Sequence, residues 1–164
     1  MSVQIIYKNS TSKKNISNAI FFVDEKFNIS NLKKHILGSE YSYLNDLLKT
    51  KDFKKKILDF DINSKKKIIL VSLKKNLKNS DLENLGAKFY DLFKNSKSIE
   101  YELNSDAISN KFKNIVGYFL HGLRLKSYTF EKYITKKRNN KITIIINGKN
   151  IPSSKDKIKL NLMP

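Results

Sequence analysis

The sequence predicts an α/β domain of three layers, with helices on both faces of a mixed β-sheet. Strand-sized apolar runs alternate with segments whose apolar residues recur at helical spacing, in the order β-β-α-β-β-α-β-α-β. Two consecutive strands near the middle form a predicted hairpin, which makes the sheet mixed rather than purely parallel. The length of 164 residues fits a single domain, and an apolar share of 40% is enough for a buried core.

The first half of the chain contributes four predicted strands and one helix. Val3–Tyr7 is a short apolar strand, and Asn18–Asp24 is a continuous apolar run, typical of a strand that is buried on both faces. Apolar residues at steps of three and one predict a short helix near Glu40–Lys49. Lys56–Ile62 alternates apolar and acidic residues, which predicts a half-exposed strand near a sheet edge, and Lys66–Leu73 is its hairpin partner.

The helix after the hairpin begins with a capping pattern. The Ser80 hydroxyl can accept a hydrogen bond from the backbone N–H of Glu83, and the Glu83 carboxylate can reach back to the N–H of Ser80. Apolar residues then continue at helical spacing to Phe93. The alternating segment Ser98–Leu103 predicts the fifth strand.

A long amphipathic helix and one more strand complete the predicted fold. Apolar residues at steps of three and four predict a helix from Ala107 to at least Leu123, capped by Asn104–Asp106. Gly122 costs up to about 1 kcal/mol in a helix interior, so we interpret it as a position of close packing or a kink. Lys141–Asn147 is the last strand, and residues 150–164 are expected to form an exposed arm or linker.

Positive charge dominates the composition. The chain has 33 basic and 15 acidic side chains, a net charge of +18, and only two of the basic residues are Arg. An anionic partner, either nucleic acid or a membrane surface, is one interpretation. The other is genome bias, because the over-used residue types Phe, Tyr, Met, Ile, Asn and Lys have codons rich in A and T. We favour bias for most of the charge, since selected phosphate sites usually include Arg.

Three basic clusters are the candidate anion-binding residues. Two of them flank the predicted hairpin and are expected to form one patch, and the third follows the aromatic residues Tyr128, Phe130 and Tyr133. The candidates are Lys54, Lys55, Lys56, Lys65, Lys66, Lys67, Lys136, Lys137 and Arg138. If they contact phosphates, the chain is a basic nucleic-acid-binding module whose affinity falls steeply with salt.

No residue pattern predicts a catalytic, metal or cofactor site. The lack of Cys excludes disulfides and thiolate chemistry. A GxSxG nucleophile elbow, a zinc-binding HExxH and a Gly-rich phosphate loop are also missing from the sequence. His35 is expected to be solvated, and His121 is expected to be a satisfied or partly exposed helix residue.

Asp59 and Asp61 form the one acidic pair that we considered as a metal site. They lie two residues apart on one strand face and could ligate a hard cation. We interpret them instead as a solvated strand face that Lys55 and Lys66 neutralise.

The sequence contains no targeting or membrane-spanning segment that we recognise. The N-terminus lacks a basic region followed by an apolar stretch. The longest apolar runs have the length of strands, whereas a membrane span needs about 20 apolar residues. A soluble, cytoplasmic protein without a membrane partner is therefore expected.

The segment Gly122–Lys137 resembles the stretch that closes the N-terminal domain of leucyl (cytosol) aminopeptidases. In that family a helix ends in Gly-Leu and is followed by Tyr-x-Phe-x-x-Tyr-x-Thr/Ser-Lys. The matching residues are Gly122, Leu123, Tyr128, Phe130, Tyr133 and Lys136. Lys67–Lys75 and Asp81–Ala87 resemble the central strand and next helix of the same domain, although Ser72-Leu73-Lys74 stands where the family usually has Gly-Leu-Gly.

The resemblance implies a macro-domain-like fold over residues 1–149 and a non-catalytic role. In that family two divalent metals, zinc or manganese, and the catalytic Lys and Arg lie in a separate C-terminal domain. The Asn-Thr-Asp-Ala-Glu-Gly-Arg motif of that domain does not occur in this sequence. The implied partners are an aminopeptidase catalytic domain and the hexamer of the parent enzyme, for which an isolated or truncated N-terminal domain would serve assembly or regulation. Some bacterial members also bind DNA with this part of the molecule.

Macro domains proper bind ADP-ribose, which is a further alternative. Cradling of a pyrophosphate needs Gly-rich loops, and the five Gly of this chain form none. This interpretation is therefore the least favoured of the three.

Overall fold

The computed structural model describes residues 3–8, 18–96, 100–108, 112–132 and 141–163. Within these ranges the chain forms six strands and four α-helices, with a short 3₁₀ turn before the first helix. In chain order they are β1 Val3–Lys8, β2 Asn18–Asp24, α1 Gly38–Leu48, β3 Ile57–Asn63, β4 Lys66–Leu73, α2 Asn79–Phe93, β5 Glu100–Asn104, α3 Ile115–Lys132, β6 Ile142–Asn147 and α4 Ser154–Lys159.

The six strands form one mixed sheet in the order β1-β6-β5-β2-β4-β3. Every neighbouring pair is parallel except β3 and β4, which form the predicted antiparallel hairpin. β3 lies at the edge of the sheet, as its alternating pattern predicts. The predicted α/β class and element order are therefore confirmed, and α4 is an addition.

The sheet separates two apolar cores. The first core contains α2 and α3, and the second contains α1. β2 contributes to both, because Phe22 packs edge-to-face on Phe119 of α3, whereas Phe21 belongs to the core that Leu44 of α1 fills. Both sides of β2 are buried, which is why its sequence is a continuous apolar run rather than an alternating one.

Helix α2 begins earlier than predicted. Its first residue is Asn79, and the Asp81 carboxylate accepts the backbone N–H of Lys78 at 2.8 Å. The predicted cap at Ser80 is wrong. Asp81 is also bound by the Lys74 ammonium at 3.2 Å, so a contact from the preceding loop helps to set the start of the helix.

Helix α3 is shifted towards the C-terminus relative to its prediction. Asn104 does not cap it, since its side-chain oxygen accepts the backbone N–H groups of Asp106 and Ala107 and ends β5 in a turn. Asn114 has a φ of 63°, which interrupts any helix just before Ile115. The helix then runs on through Tyr128 and Phe130 to Lys132.

The C-terminal segment packs on the first core, so the predicted exposed arm is wrong for residues 150–163. Leu160 and Leu162 are buried in the first core next to β1. The Tyr7 hydroxyl donates to the carbonyl oxygen of Leu162 at 2.8 Å, and Arg124 donates to the carbonyl oxygens of Asn161 and Met163. The segment is polar in sequence, but two leucine side chains and three backbone carbonyl oxygens attach it to the rest of the domain.

Candidate functional site

The chain diverges at the carboxyl ends of the neighbouring parallel strands β2 and β4. From β2 it continues to α1 in the second core, and from β4 it continues to α2 in the first core. A cavity of about 490 Å³ lies at this point, and we name it the β2/β4 cleft. Open α/β sheets bind ligands where neighbouring connections leave to opposite faces. The residues that line the cleft are Phe22, Val23, Asp24, Glu25, Lys26, Leu73 and Lys75.

Two carboxylates hold the loops of the β2/β4 cleft in place. Asp24 accepts the backbone N–H groups of Lys26 and Asn28, both at 3.0 Å. Glu25 accepts the backbone N–H of Lys75 at 2.9 Å, which ties the loop after β2 to the loop after β4. These carboxylates therefore have structural partners in the main chain.

Seven exposed lysines come together at the end of the sheet where β2 and β4 finish and β3 begins, and we name them the lysine rim. They follow β2, precede β3 or follow β4, and the antiparallel pairing of β3 with β4 brings all three loops to one edge. The lysine rim consists of Lys26, Lys54, Lys55, Lys56, Lys74, Lys75 and Lys78. The stacked rings of Phe27 and Phe53, 5.2 Å between centroids, join two of the loops, and Phe53 remains 46% exposed.

The pKa of the Asp81 carboxyl is lowered by groups of the lysine rim. The hydrogen bond from the Lys78 backbone lowers the pKa of its carboxyl most, followed by the hydrogen bond from Lys74 and the charges of Lys74 and Lys56. Lys56 and Lys74 precede β3 and follow β4, respectively, so their joint effect places both chain segments near one carboxylate.

The two lysine clusters that flank the hairpin do not form one patch. Lys65–Lys67 follow the turn, and the β3 strand separates them from Lys54–Lys56 by roughly 20 Å at about 3.3 Å per residue. Lys66 is buried and binds the buried Glu40 of α1 at 2.7 Å. The single six-lysine patch is therefore wrong, and Lys66 is a structural residue.

The acidic residues of β3 pair with Lys67 and not with the predicted Lys55 and Lys66. Its ammonium lies 3.4 Å from Asp59 and 3.8 Å from Asp61. It also lies over the Phe93 ring, 5.4 Å from the centroid. The interpretation of the Asp pair as a neutralised strand face holds with this different partner.

A second polar cluster lies at the carboxyl ends of β5 and β6. His35 is half-buried, not solvated as predicted, and its Nδ1 lies 3.2 Å from the Asn104 amide nitrogen. Because the Asn104 oxygen already accepts two backbone N–H groups, the amide nitrogen donates and Nδ1 of His35 accepts. Burial lowers the pKa of the His35 imidazole, against the opposing charge of Asp106. A neutral imidazole is what this geometry requires.

The same cluster contains a buried amide. Asn147 donates to the Glu102 carboxylate at 2.6 Å, and its own side-chain oxygen is buried without a hydrogen-bond partner. Gly148 has a φ of 121°, and a Cβ there would lie 2.3 Å from the Ser105 hydroxyl oxygen. This tight turn needs Gly for both its backbone angle and its space.

Gly122 is a position of close helix packing, as predicted. A Cβ at Gly122 would lie 1.9 Å from the carbonyl oxygen of Glu83 in α2, and a Cβ at Gly86 of α2 would lie 1.9 Å from that of Phe119. The two glycines let the backbones of α2 and α3 touch. His121, one residue away, is 23% exposed and lies 3.5 Å from the Glu83 carboxylate, which agrees with its prediction.

The other motif residues that the structure describes also have packing roles. Leu123 is fully buried, and the Tyr128 hydroxyl accepts the amide of Asn161 at 3.3 Å. The side chain of Phe130 and all of Tyr133 lie outside the described residues. So do three of the candidate basic residues, Lys136, Lys137 and Arg138.

Sequence reasoning missed the residues that line the β2/β4 cleft and most of the lysine rim. Only Lys54, Lys55 and Lys56 of the lysine rim were predicted candidates, since the remaining four lysines do not form a triplet in sequence. The signal that could have found the others is topological. Lysines that follow adjacent parallel strands, or precede an antiparallel partner, meet at one sheet edge.

Two features are absent from the described part of the chain. It contains no cluster of three or more His, Cys, Asp or Glu side chains able to hold a metal ion. It also contains no helix with the length and apolar character that crossing a membrane requires.

Comparison with known proteins identifies similar folds. No protein-family model and no curated protein matches the sequence. A tomato leucine aminopeptidase mutant superposes with a TM-score of 0.66 and 16% sequence identity, covering 97% of this chain and 35% of its own. The macrodomain of Thermus aquaticus DarG superposes with a TM-score of 0.53 and 7% identity, covering 90% of this chain and 99% of its own. This chain therefore spans about a third of the aminopeptidase, and the macro-domain-like α/β fold is confirmed.

Proposed function

We propose that this chain is a non-catalytic domain, similar to the N-terminal domain of a leucyl aminopeptidase, that serves the assembly or regulation of a metal-dependent aminopeptidase. The observation that carries the proposal is the superposition of 97% of the chain on 35% of a leucine aminopeptidase. The remainder of that enzyme has no counterpart in these 164 residues.

The contact between α2 and α3 supports the proposal at the level of single residues. Gly122 belongs to the segment that resembles the aminopeptidase family, and Gly86 belongs to the second resembling segment. Each glycine lies against the backbone of the other helix. The residues that carry the resemblance therefore shape the packing of the domain, as expected for a scaffold.

Two activity measurements test the proposal. The first assays the purified chain with leucine p-nitroanilide and added Mn²⁺ or Zn²⁺, and we expect no turnover. The second tags the chain in the cells that encode it, purifies it under native conditions and assays the eluate in the same way. We expect metal-dependent turnover that co-elutes with the tagged chain and is absent from a tag-only control.

The two measurements can fail separately. Turnover by the purified chain alone would overturn the non-catalytic role. An eluate without aminopeptidase activity would overturn the association with an aminopeptidase, even if the first result held.

Nucleic-acid binding is the second candidate function, and the lysine rim is the observation that favours it. Seven ammonium groups and an exposed aromatic ring, Phe53, surround one edge of the sheet. Single-stranded nucleic acids bind to such combinations through phosphate contacts and base stacking. Four carboxylates at the same end of the sheet offset part of this positive charge: Asp24, Glu25, Asp52 and Asp81.

Salt-dependent binding separates this candidate from non-specific attraction by net charge. Each lost phosphate contact reduces the log–log salt slope by about 0.7 on a single strand and by about 0.9 on duplex DNA. Replacing Lys54, Lys55 and Lys56 by Gln should therefore reduce the slope measurably in fluorescence anisotropy. The matched control replaces the exposed Lys65, Lys155 and Lys159 and should leave it less affected. Equal losses for both triple variants, or no binding at low salt, would exclude the lysine rim as a nucleic-acid interface.

A further inference from the structure

We propose that the β2/β4 cleft binds a small organic anion that combines a flat apolar group with a phosphate or carboxylate. The cleft measures about 490 Å³, and pockets for small molecules typically measure about 300–1,000 Å³. The proposal does not depend on the aminopeptidase-like role or on nucleic-acid binding, because neither of them needs a small-molecule site.

The position of the cleft follows from the topology. β2 and β4 are parallel neighbours, but α1 and α2 lie on opposite faces of the sheet. The two loops must therefore separate as they leave the sheet, which opens a crevice between them. The bond from the Lys75 N–H to Glu25 holds the loops at a fixed separation, so the crevice is preformed.

The floor of the cleft is apolar. Phe22 lies two residues before the end of β2, and Leu73 ends β4. Both belong to the first core and are 3% and 4% exposed, and Val23 borders the cleft from the second core. A flat hydrocarbon group placed on these side chains gains burial at about 25 cal/mol for each Å² that leaves water. The apolar part of the ligand follows from this floor.

The wall of the cleft provides two available cations. Among the described residues, the ammonium groups of Lys26 and Lys75 have no hydrogen-bond or ion-pair partner. The adjacent carboxylates of Asp24 and Glu25 accept backbone N–H groups instead. An anionic group on the ligand can therefore pair with lysines that form no ion pair with the carboxylates of the described ranges.

The chemistry differs from a pyrophosphate cradle. Such a cradle uses backbone N–H groups of Gly-rich loops. Here the loop N–H groups of Lys26, Asn28 and Lys75 already donate to carboxylates. The anion would be held by side chains, so affinity should fall with salt.

Amide chemical shifts of the full-length chain test the proposal with four probes. Naphthyl phosphate and naphthoate combine both halves of the predicted ligand, whereas naphthol and inorganic phosphate carry one half each. We expect the combined probes to shift the amides of residues 22–26, 73 and 75, and to bind more tightly than either half alone. The stronger of the two combined probes identifies phosphate or carboxylate as the preferred anion.

Paired lysine variants test the role of charge. The Lys26→Gln/Lys75→Gln variant should bind the preferred probe about three- to tenfold more weakly, the loss expected for two exposed charge contacts. The control variant Lys65→Gln/Lys155→Gln has the same net charge and should bind like the unaltered chain. The proposal is overturned if naphthol binds as well as the combined probes, if the shifts occur elsewhere, or if both double variants lose affinity equally.

Discussion

Two identical tripeptides occur at opposite ends of one hairpin, and they have different roles. Lys54-Lys55-Lys56 precede β3 and are all exposed, whereas Lys65-Lys66-Lys67 lead into β4. In the second triplet Lys66 is buried against Glu40, and Lys67 pairs with Asp59 and Asp61. Only Lys65 of that triplet remains exposed.

The difference shows that lysine density in sequence does not locate an anion-binding surface. Strand periodicity points Lys66 to the second core and Lys67 to the opposite face. The first triplet lies outside a strand: Lys54 is 3.8 Å from Asp52 in the same loop, and Lys56 acts on Asp81 of α2. The topology of the sheet therefore decides which exposed lysines gather near the β2/β4 cleft.

Replacement of Lys66 should have the largest effect on stability. Lys66→Ala leaves the Glu40 carboxylate buried without its ion-pair partner, which typically costs about 3–5 kcal/mol of unfolding free energy. Lys55→Ala, in the exposed triplet, should change it by less than about 0.5 kcal/mol. Urea denaturation of both variants measures the contrast.

A double variant decides whether the Lys66 effect comes from the buried charge. Glu40→Gln/Lys66→Met removes both charges and keeps a side-chain oxygen for the Leu37 N–H that Glu40 accepts. It should recover much of the lost stability. Similar losses for Lys66→Ala and Lys55→Ala would contradict the contrast between the triplets.

Arg124 extends the comparison to a buried cation whose partners among the described residues are backbone carbonyl oxygens. It donates to the carbonyl oxygens of Asn161, Met163 and Val3. Arg124→Met should cost about 1.5–3 kcal/mol, the usual value of hydrogen bonds to a charged group, and should speed proteolysis within residues 150–163. Lys126→Met, two residues further along the same helix, is the control. Unchanged proteolysis in Arg124→Met would show that the apolar contacts alone hold this segment.

Glycine positions provide the same kind of contrast without charge. Gly122→Ala forces a methyl group against the Glu83 carbonyl oxygen, and overpacking of this kind costs about 1–3 kcal/mol. At Gly38 nothing lies within 4 Å of a new Cβ, so Gly38→Ala should be neutral or slightly stabilising. Thermal unfolding measures both, and equal melting temperatures would argue against close contact of α2 and α3.

Asp81 should produce the smallest effect, and one that depends on pH. Its folded-state pKa lies below the usual value of 3.8, so the folded state favours the charged carboxylate. The stabilisation is therefore complete above the unfolded-state pKa and is lost as the pH falls through the folded-state value. Asp81→Asn should be less stable than the unaltered chain near neutral pH, and the two stability curves should converge in acid. A difference that persists in acid would assign the effect to something other than charge.

Local periodicity was sufficient to predict most elements but not their ends. β2, β3 and β4 were recognised because the residue order records the burial of each face directly: β2 and β4 are mostly apolar runs, and β3 alternates. The start of α3 was missed because the Asn104 turn and the positive φ of Asn114 override an apolar pattern that continues through them. The C-terminal segment was missed because its burial depends on Arg124 and Tyr7, which are distant in sequence.

The sequence by itself determined the α/β class, the strand order along the chain and the hairpin, and it left close packing and a kink open at Gly122. These properties depend on side-chain periodicity and on residue types that act within a few positions. Only the tertiary structure decided which lysines are buried, which pair with carboxylates and which surround the β2/β4 cleft. The reason is that a charge is neutralised or left available by groups brought close in space, and in this fold those groups come from separate loops at one edge of the sheet.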